Sequence, residues 1–411
     1  MKKIFIILFF SFLSLFLLPQ NSSFAFEQLV KVHVLSRYDL KQVQINSPLA
    51  QIKMIKRSVS SYSSSYRSSS HSSSNSFEER IGPPDMPLEL KSISNKVELR
   101  IGSLKSEADE IWITPPRGSL MSVILGKDQQ RKFGGKLMVR SLNGELFFVE
   151  ELTLDHYVRG VLEAELPQGF PPEAQKAQAI VIRSYALANA DRHLKEGYNF
   201  CDLTHCMVYA GRNLPYRSLD EVVEATQKLI LTYQSKPIQA LFHSTCGGHT
   251  SANQKVFGGK ALPYLQGVDD GKYCERSPYA HWENYISLKI LEEVLKKDPD
   301  TNPKGEIKNI RIASAEADKG RVFEVALEGK RNFTLPVLEM MSVVGKYLGW
   351  SQLKSNWFEV SIQEDTAHFV GKGLGHGVGF CQWGAKGMAD EGKKFPEILQ
   401  HYFPGTQLTQ R

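Results

Sequence analysis

The sequence predicts an α+β fold, in which a β-rich N-terminal part precedes a larger mixed domain. Three observations carry that expectation. From about residue 27 to 150 the chain shows short runs that alternate apolar and polar residues, the period of half-buried strands. Beyond Leu152 the character shifts, and alanine-rich helical stretches interleave with further strand-like runs. At 411 residues and 42% hydrophobic content the chain is long enough for two or three globular domains, and it carries no internal repeat.

Residues 1–25 read as a secretory signal peptide. Lys2 and Lys3 precede an apolar run from Ile4 to Leu18, Pro19 interrupts it, and Ser23-Phe24-Ala25 places small residues at a cleavage position. The run is shorter than the ~20 residues of a membrane span, so cleavage after Ala25 is expected over anchoring through this segment. Residues 26–150 are expected to form the β-rich domain. Within it, "QLVKVHVLSRYDLKQVQINS" alternates as strands do, and 58–76, "SVSSYSSSYRSSSHSSSNS", is almost all serine. Such a tract cannot bury enough surface to offset its ordering entropy and reads as a disordered excursion or linker. Strand patterns return in "KVELRIG", "EIWITP", "LMSVIL" and "KLMVRSLNGELFFVEEL"; the last carries Asn143-Gly144, a strong hairpin signal.

The mixed domain is expected over 151–411. "PPEAQKAQAIVIRSYALANADRHL" reads as a helix. Pro172 suits its first turn, Glu173 complements the dipole, and the interior is rich in alanine. Further helices are expected near "SLKILEEVLKKD" and "LPVLEMMSVVGKYLGW", and strands at "LILTYQSKPIQALFHST", "EIKNIRIASAEA" and "GRVFEVALEG". "PEILQHYFPG" reads as a short helix stopped by Pro404-Gly405.

The net charge of +6 suits an acidic polymer such as a bacterial cell wall. It is too small to argue for nucleic acid, and no nucleic-acid motif is present. Export permits disulfides, and the five cysteines leave at least one free, metal-bound or paired elsewhere. Glu165 lies among Val161, Leu162, Ala164 and Leu166 just before a loop with proline and glycine. A carboxyl held against apolar surface has its charged form disfavoured, as a general acid requires; the alternative is an exposed helix-end carboxylate. Lys176 and Arg183, seven apart, share one helix face, either as a solvated stripe or lining a cleft. "CDLTHC" supplies Cys201, His205 and Cys206, with His193 eight residues before Cys201. These are zinc-ligand types, and a Cys201–Cys206 disulfide competes with that reading. Any two of Cys246, Cys274 and Cys381 could bridge. "HSTCGGHT" holds Ser244, Thr245 and His249 but no G-x-S-x-G elbow, so it reads as a glycine-framed polar loop. "GKGLGHGVGFCQWGAKGMA" is glycine-dense, for tight turns or for close backbone approach to a ligand.

Together "LDHYVRGVLEAELPQGFPPEAQKAQAIVIRSYAL", "HSTCGGHT", "PYLQGVDD", "GKGLGHGVGFCQWGAKGMA" and "ILQHYFPGT" resemble, in order, the stage II sporulation protein D family, which includes the amidase-enhancer proteins. The likeness covers about residues 130–411. It implies an exported protein of the periplasm or cell surface, secreted or membrane-anchored, with its catalytic domain at 151–411. The best-understood members are peptidoglycan lytic transglycosylases, which cut the MurNAc-GlcNAc bond of peptide-stripped glycan strands and leave 1,6-anhydro-MurNAc ends. The resemblance implies Glu165 as the single catalytic acid/base. It also implies a substrate cleft with Lys176, Arg183, Tyr185, Ser244, Gly247, Gly248, Thr250, His376 and Gln382. A structural zinc on His193, Cys201, His205 and Cys206 is implied, with no organic cofactor. The implied partners are peptidoglycan glycan strands and an amidase or other cell-wall proteins. Cys246 and Cys381 depart from the family pattern, standing where many relatives carry serine. Two rival readings are a non-catalytic, wall-binding enhancer of an N-acetylmuramoyl-L-alanine amidase and a hydrolase of the same bond. The hydrolase would need a second carboxylate, for which Glu163 is the neighbour that a strand would place on the same side.

Overall fold

The computed structural model describes residues 28–57, 75–213, 217–316 and 320–411. The segment read as a signal peptide, and the serine tract up to residue 74, lie outside the described residues. The fold is α+β. Among the described residues no helix is long and apolar enough to cross a membrane.

The N-terminal strands build two sheets that pack face to face. One runs, in spatial order, through Gln130–Phe133, Met121–Ile124, Gln42–Asn46, Leu88–Ile93, Lys96–Ile101 and Leu104–Ala108. The other runs Phe200–Cys201, Leu29–Val34, Glu145–Thr153, Lys136–Leu142, Glu110–Thr114, Gln51–Arg57 and Asn75–Ile81. Strand alternation decides which side chains enter the core: Val30, Val32 and Val34 are buried while Leu29 stays out. The Asn143-Gly144 hairpin forms as expected, with φ of 54° and 83°, the positive pair that a two-residue turn of matching twist demands.

Among the described residues the helices are α1 (Leu154–Glu165), α2 (Pro172–Ala188), α3 (Arg217–Ala225), α4 (Asn253–Phe257), α5 (Leu288–Leu295), α6 (Val337–Leu348), α7 (Gln382–Asp390) and α8 (Phe395–Tyr402). α2 is the central one and packs on α1, α3, α7 and α8. Its alanines at 174, 177, 179 and 186 are all buried and allow those neighbours to approach closely. Strand Glu145–Thr153 runs straight into α1 across residue 150, and Phe200–Cys201 pairs in parallel with Leu29–Val34. One hydrophobic core therefore runs without a break from Val30 to Phe403.

A second core, unanticipated from the sequence, lies in the stretch between Trp282 and Gly371. Trp282, Leu291, Val325, Met340 and Phe369 are among its buried residues. Two three-stranded sheets, Trp282–Ser287 with Thr366–Gly371 and Phe358–Gln363, and Ile307–Ala315 with Val322–Gly329 and Phe333–Pro336, join α5 and α6 around it. The rest of the glycine-dense stretch also differs from a loop, since α7 occupies its end. Gly387 lies so close to the Tyr273 carbonyl that a Cβ would overlap it, so contact overrides helix propensity there.

Candidate functional site

α1 positions the candidate acid. Thr153 caps it, its hydroxyl accepting from the His156 amide (3.3 Å), and Asp155 complements the dipole in the first turn. Tyr157, Val158, Val161 and Leu162 bury its inner face. The helix stops at Glu165 because Leu166 turns extended (φ −100°, ψ 128°), as a residue before proline prefers. The Glu165 side chain is largely covered, and its Oε1 accepts the Val208 amide at 2.9 Å. Burial pushes its carboxyl above the usual range, and the Val208 hydrogen bond opposes this only in part. Such a carboxyl keeps its proton closer to neutral pH. Beside it, the fully buried Tyr157 stacks on Phe200 (4.9 Å between ring centroids), and its hydroxyl has no hydrogen-bond partner. In the sequence, the apolar periodicity of α1 marks Tyr157 as a core residue and says nothing of its neighbours.

Val208 follows Cys206 by two residues, so the loop that grips Glu165 is the loop of the Cys/His cluster. The end of α2, the turn at Leu194–Glu196 and strand Phe200–Cys201 bring His193, Cys201, His205 and Cys206 together, with one ligand atom from each within 4.8 Å of the others. His205 Nδ1 lies 3.8 Å from both sulfurs. Glu196 holds His193 Nδ1 at 2.9 Å, which leaves His193 Nε2 buried without a hydrogen-bond partner. A carboxylate on one imidazole nitrogen and an unsatisfied second nitrogen is the arrangement of a metal-ligating histidine. Both thiols are free. Two imidazoles and two thiolates form a tetrahedral zinc donor set, so these residues fit that ion.

Tyr185 belongs with this cluster: it is buried, with the Arg192 guanidinium 5.6 Å from its ring centroid. Lys176 sits at the edge of α2, its Nζ donating to Glu173 at 2.9 Å. Arg183 requires correction. It is 2% exposed and donates to Asp155 Oδ1 (2.8 and 3.0 Å) and to the carbonyls of Thr226 and Leu229. Asp155 starts α1 and Glu165 ends it, ten residues on, ~15 Å along the helix at 1.5 Å each. Arg183 therefore braces the far end of α1 and does not share a cleft with Glu165. Periodicity put Lys176 and Arg183 on one face but could not say what covers each end of it.

In the glycine loops the close approaches that the structure describes are to protein. At Gly247 (φ 82°) a Cβ would come within 2.9 Å of the Trp357 ring, and at Gly377 (φ 71°) it would overlap the Arg321 guanidinium. Gly248 faces the Gly271 carbonyl (3.3 Å from its Cβ position). Thr250 is internal, its hydroxyl accepting the Val268 amide at 2.8 Å. His376 packs between His243 and Phe257, accepts the Val378 amide on Nδ1 (3.1 Å), and is pushed down to about 4 by burial, which keeps it neutral. Gln382 is buried with its Nε2 without a partner, and Ser244 is half-buried with its carbonyl accepting the Trp383 amide (3.0 Å). This segment meets the loop after Glu165, where Phe170 packs edge-on against Trp383 (5.4 Å between centroids).

A family model described as "Stage II sporulation protein" matches residues 143–233, from the hairpin turn through α1, α2 and the Cys/His loop. The chain is 30% identical over 278 residues to stage II sporulation protein D of Bacillus subtilis, an alignment covering 64% of this chain and 76% of that one. The chain belongs to the stage II sporulation protein D family. It is also 32% identical over 290 residues to an uncharacterized protein of Brachyspira hyodysenteriae, covering 67% of this chain and 72% of that one. The amidase enhancer of Bacillus subtilis is 27% identical over 300 residues, which is 61% of this chain and 40% of the enhancer. In this family member the model-matched span contains Glu165 and all four Cys/His cluster residues, while the glycine-dense stretch 371–389 lies outside it.

Proposed function

We propose that this family member acts at the bacterial cell wall as an exported peptidoglycan lytic transglycosylase with Glu165 as its single acid/base. The relatives' names, stage II sporulation protein and amidase enhancer, support the coarser role at the wall. One observation carries the finer reading. Glu165 is a covered carboxyl, raised by burial, whose hydrogen-bond donor is a neutral amide. Glu163 by contrast is paired with Arg159 and accepts the Asn213 amide (2.9 Å). Glycoside hydrolysis uses two carboxylates, and on a helix residues two apart do not face each other. Glu163 is therefore no partner to Glu165.

A lytic transglycosylase needs one carboxyl. Protonated Glu165 gives its proton to the oxygen joining MurNAc C1 to GlcNAc, and the C1–O bond breaks. The C6 hydroxyl oxygen of the same MurNAc closes on C1, and Glu165 takes back that hydroxyl's proton. No water is consumed. A zinc ion on His193, Cys201, His205 and Cys206, with every coordination position taken by protein, would supply a structural tie and no open Lewis-acid position. By holding the 201–208 loop, those residues hold the Val208 amide on Glu165. Lys176, Ser244 and His376, which are only half-buried, remain the side chains we assign to glycan contact, while Tyr185 and Gln382 are buried.

Incubation with denuded glycan strands and mass analysis of the products test the proposal. Anhydro-muramic ends from wild type, absent with Glu165→Gln, are expected. Products heavier by one water would indicate a hydrolase. Binding without turnover would favour the enhancer role, which the likeness to the amidase enhancer keeps as the second reading.

A further inference from the structure

A second group of metal-ligand side chains lies apart from the Cys/His loop. Cys246, Asp270, Cys274 and Cys381 each place one ligand atom within 4.8 Å of the others, and all four are buried. Cys246 Sγ is 3.6 Å from Cys274 Sγ and 3.0 Å from Asp270 Oδ2. In a tetrahedral site with Zn–S of about 2.3 Å, neighbouring sulfurs stand roughly 3.8 Å apart, so this spacing suits a single ion. All three thiols are free. A disulfide between any two would leave the third thiol unbridged in a dry interior, whereas one cation engages all three sulfurs and the Asp270 carboxylate.

The surroundings support the ligands. The amides of Gly248 and Gly384 donate to Cys246 Sγ and Cys381 Sγ (3.3 Å each), and the Cys246 amide donates to Cys381 Sγ (3.2 Å). Cys381 is also the N-cap of α7, where the dipole favours negative charge. The second oxygen of Asp270 accepts from Tyr402 (2.5 Å), with His401 Nε2 at 3.5 Å. The buried Arg321 guanidinium donates to the Cys246 carbonyl (2.7 Å) and places positive charge beside the three sulfurs. Gly384 has no room for a side chain, since a Cβ would overlap both Asp270 and Tyr402. These are outer contacts of the kind that orient metal ligands.

We propose that Cys246, Cys274, Cys381 and Asp270 form a second, closed metal centre for a divalent ion of zinc type. Three thiolates favour a borderline-soft cation, and a carboxylate as fourth ligand disfavours copper(I). The site ties together three segments distant in sequence: the loop after strand Phe242–His243, the turn at 270–274 and the start of α7. The proposal is independent of the transglycosylase reading.

The test is the zinc content of the purified full chain, with Cys274→Ser, Asp270→Asn and Cys206→Ser compared. A second equivalent of zinc is expected in wild type, lost on Cys274→Ser and kept on Cys206→Ser. Asp270→Asn keeps the shape but not the charge, and its zinc affinity at this site should fall by at least the ~10–100-fold seen for outer-shell changes. Cobalt(II) reconstitution of wild type reads the same site without relying on a variant's folding, through charge-transfer absorption from more thiolates than the Cys201/Cys206 site can supply. Zinc content unaltered by both Cys274→Ser and Asp270→Asn, or a peptide map of the isolated wild type with a Cys246–Cys274 bridge, would overturn it.

Discussion

Replacing Glu165 by glutamine separates a chemical role from a structural one. The amide keeps an oxygen to accept from Val208, now at 2.9 Å, and it cannot donate and recover a proton. Loss of a general acid costs ~10²–10⁴-fold in turnover, about 3–6 kcal/mol in the barrier at ~1.4 kcal/mol per tenfold. Stability should move the other way. The folded carboxyl lies above its ordinary value of 4.5, so the stability it contributes is fully present below pH 4.5 and is lost as pH rises through the folded value. The variant lacks that loss, and its stability relative to wild type should grow from pH 4.5 upward. Glu165→Ala behaves differently, because it strands the Val208 N–H at a cost of about 1–3 kcal/mol. Turnover of denuded glycan and urea unfolding across pH 4 to 8 measure both effects. The wild-type rate should fall as pH rises through the folded value of the acid. A Glu165→Gln enzyme that still turns over, or a stability gap that narrows with rising pH, would refute the reasoning.

Other perturbations divide cleanly between stability and function. Glu163→Gln removes the countercharge of Arg159, which is 2% exposed; breaking a buried pair costs about 3–5 kcal/mol, and the Asp220 contact at 3.2 Å should hold the loss near the lower end, with turnover per folded molecule unchanged. Glu150, 0% exposed and bonded by Tyr209 and the amides of Gly134 and Gly135, is pushed up to about 7 by burial. The gap from 4.5 caps its penalty at ~3 kcal/mol, so Glu150→Gln should raise the unfolding free energy at pH 8 by up to that amount and leave it unchanged at pH 4. Cys206→Ser should lower zinc content and reduce kcat more than it raises KM, because the loop it frees carries the Val208 amide; equal kcat in variant and wild type would break the proposed link between cluster and acid.

Local chemistry made part of the fold legible. The Asn143-Gly144 turn, the Pro172 start of α2 and the Pro404-Gly405 stop of α8 each follow from the backbone demands of a few neighbouring residues. The core between Trp282 and Gly371 was not legible, because its elements look the same whether they pack on one another or on α2. The glycines at 247 and 377 announced close approach, but glycine reports only that something comes near, here Trp357 and Arg321 from the stretch between Trp282 and Gly371. Cys246, Cys274 and Cys381 could not be read as one cluster. Their spacings match no local motif, and Asp270 gives no sign of ligation until the chain brings it to them.

Three acids on α1 show why Glu165 is the one proposed as the acid/base. Asp155, Glu163 and Glu165 all sit on one 12-residue helix. Arg183 neutralises Asp155 and Arg159 neutralises Glu163. Glu165 receives an uncharged N–H, so burial acts on it with no cation to oppose it. Both arginines are themselves buried and reach their acids from fixed positions, Arg159 one turn before Glu163 and Arg183 from α2. The sequence shows the first pairing, at i and i+4. The second depends on how α1 crosses α2, which no spacing within either helix determines. A change at Arg159 would therefore do more than loosen the helix: it would take the buried cation from Glu163, whose side chain is 6% exposed, whereas Asp155, 33% exposed, would still reach solvent if Arg183 were lost.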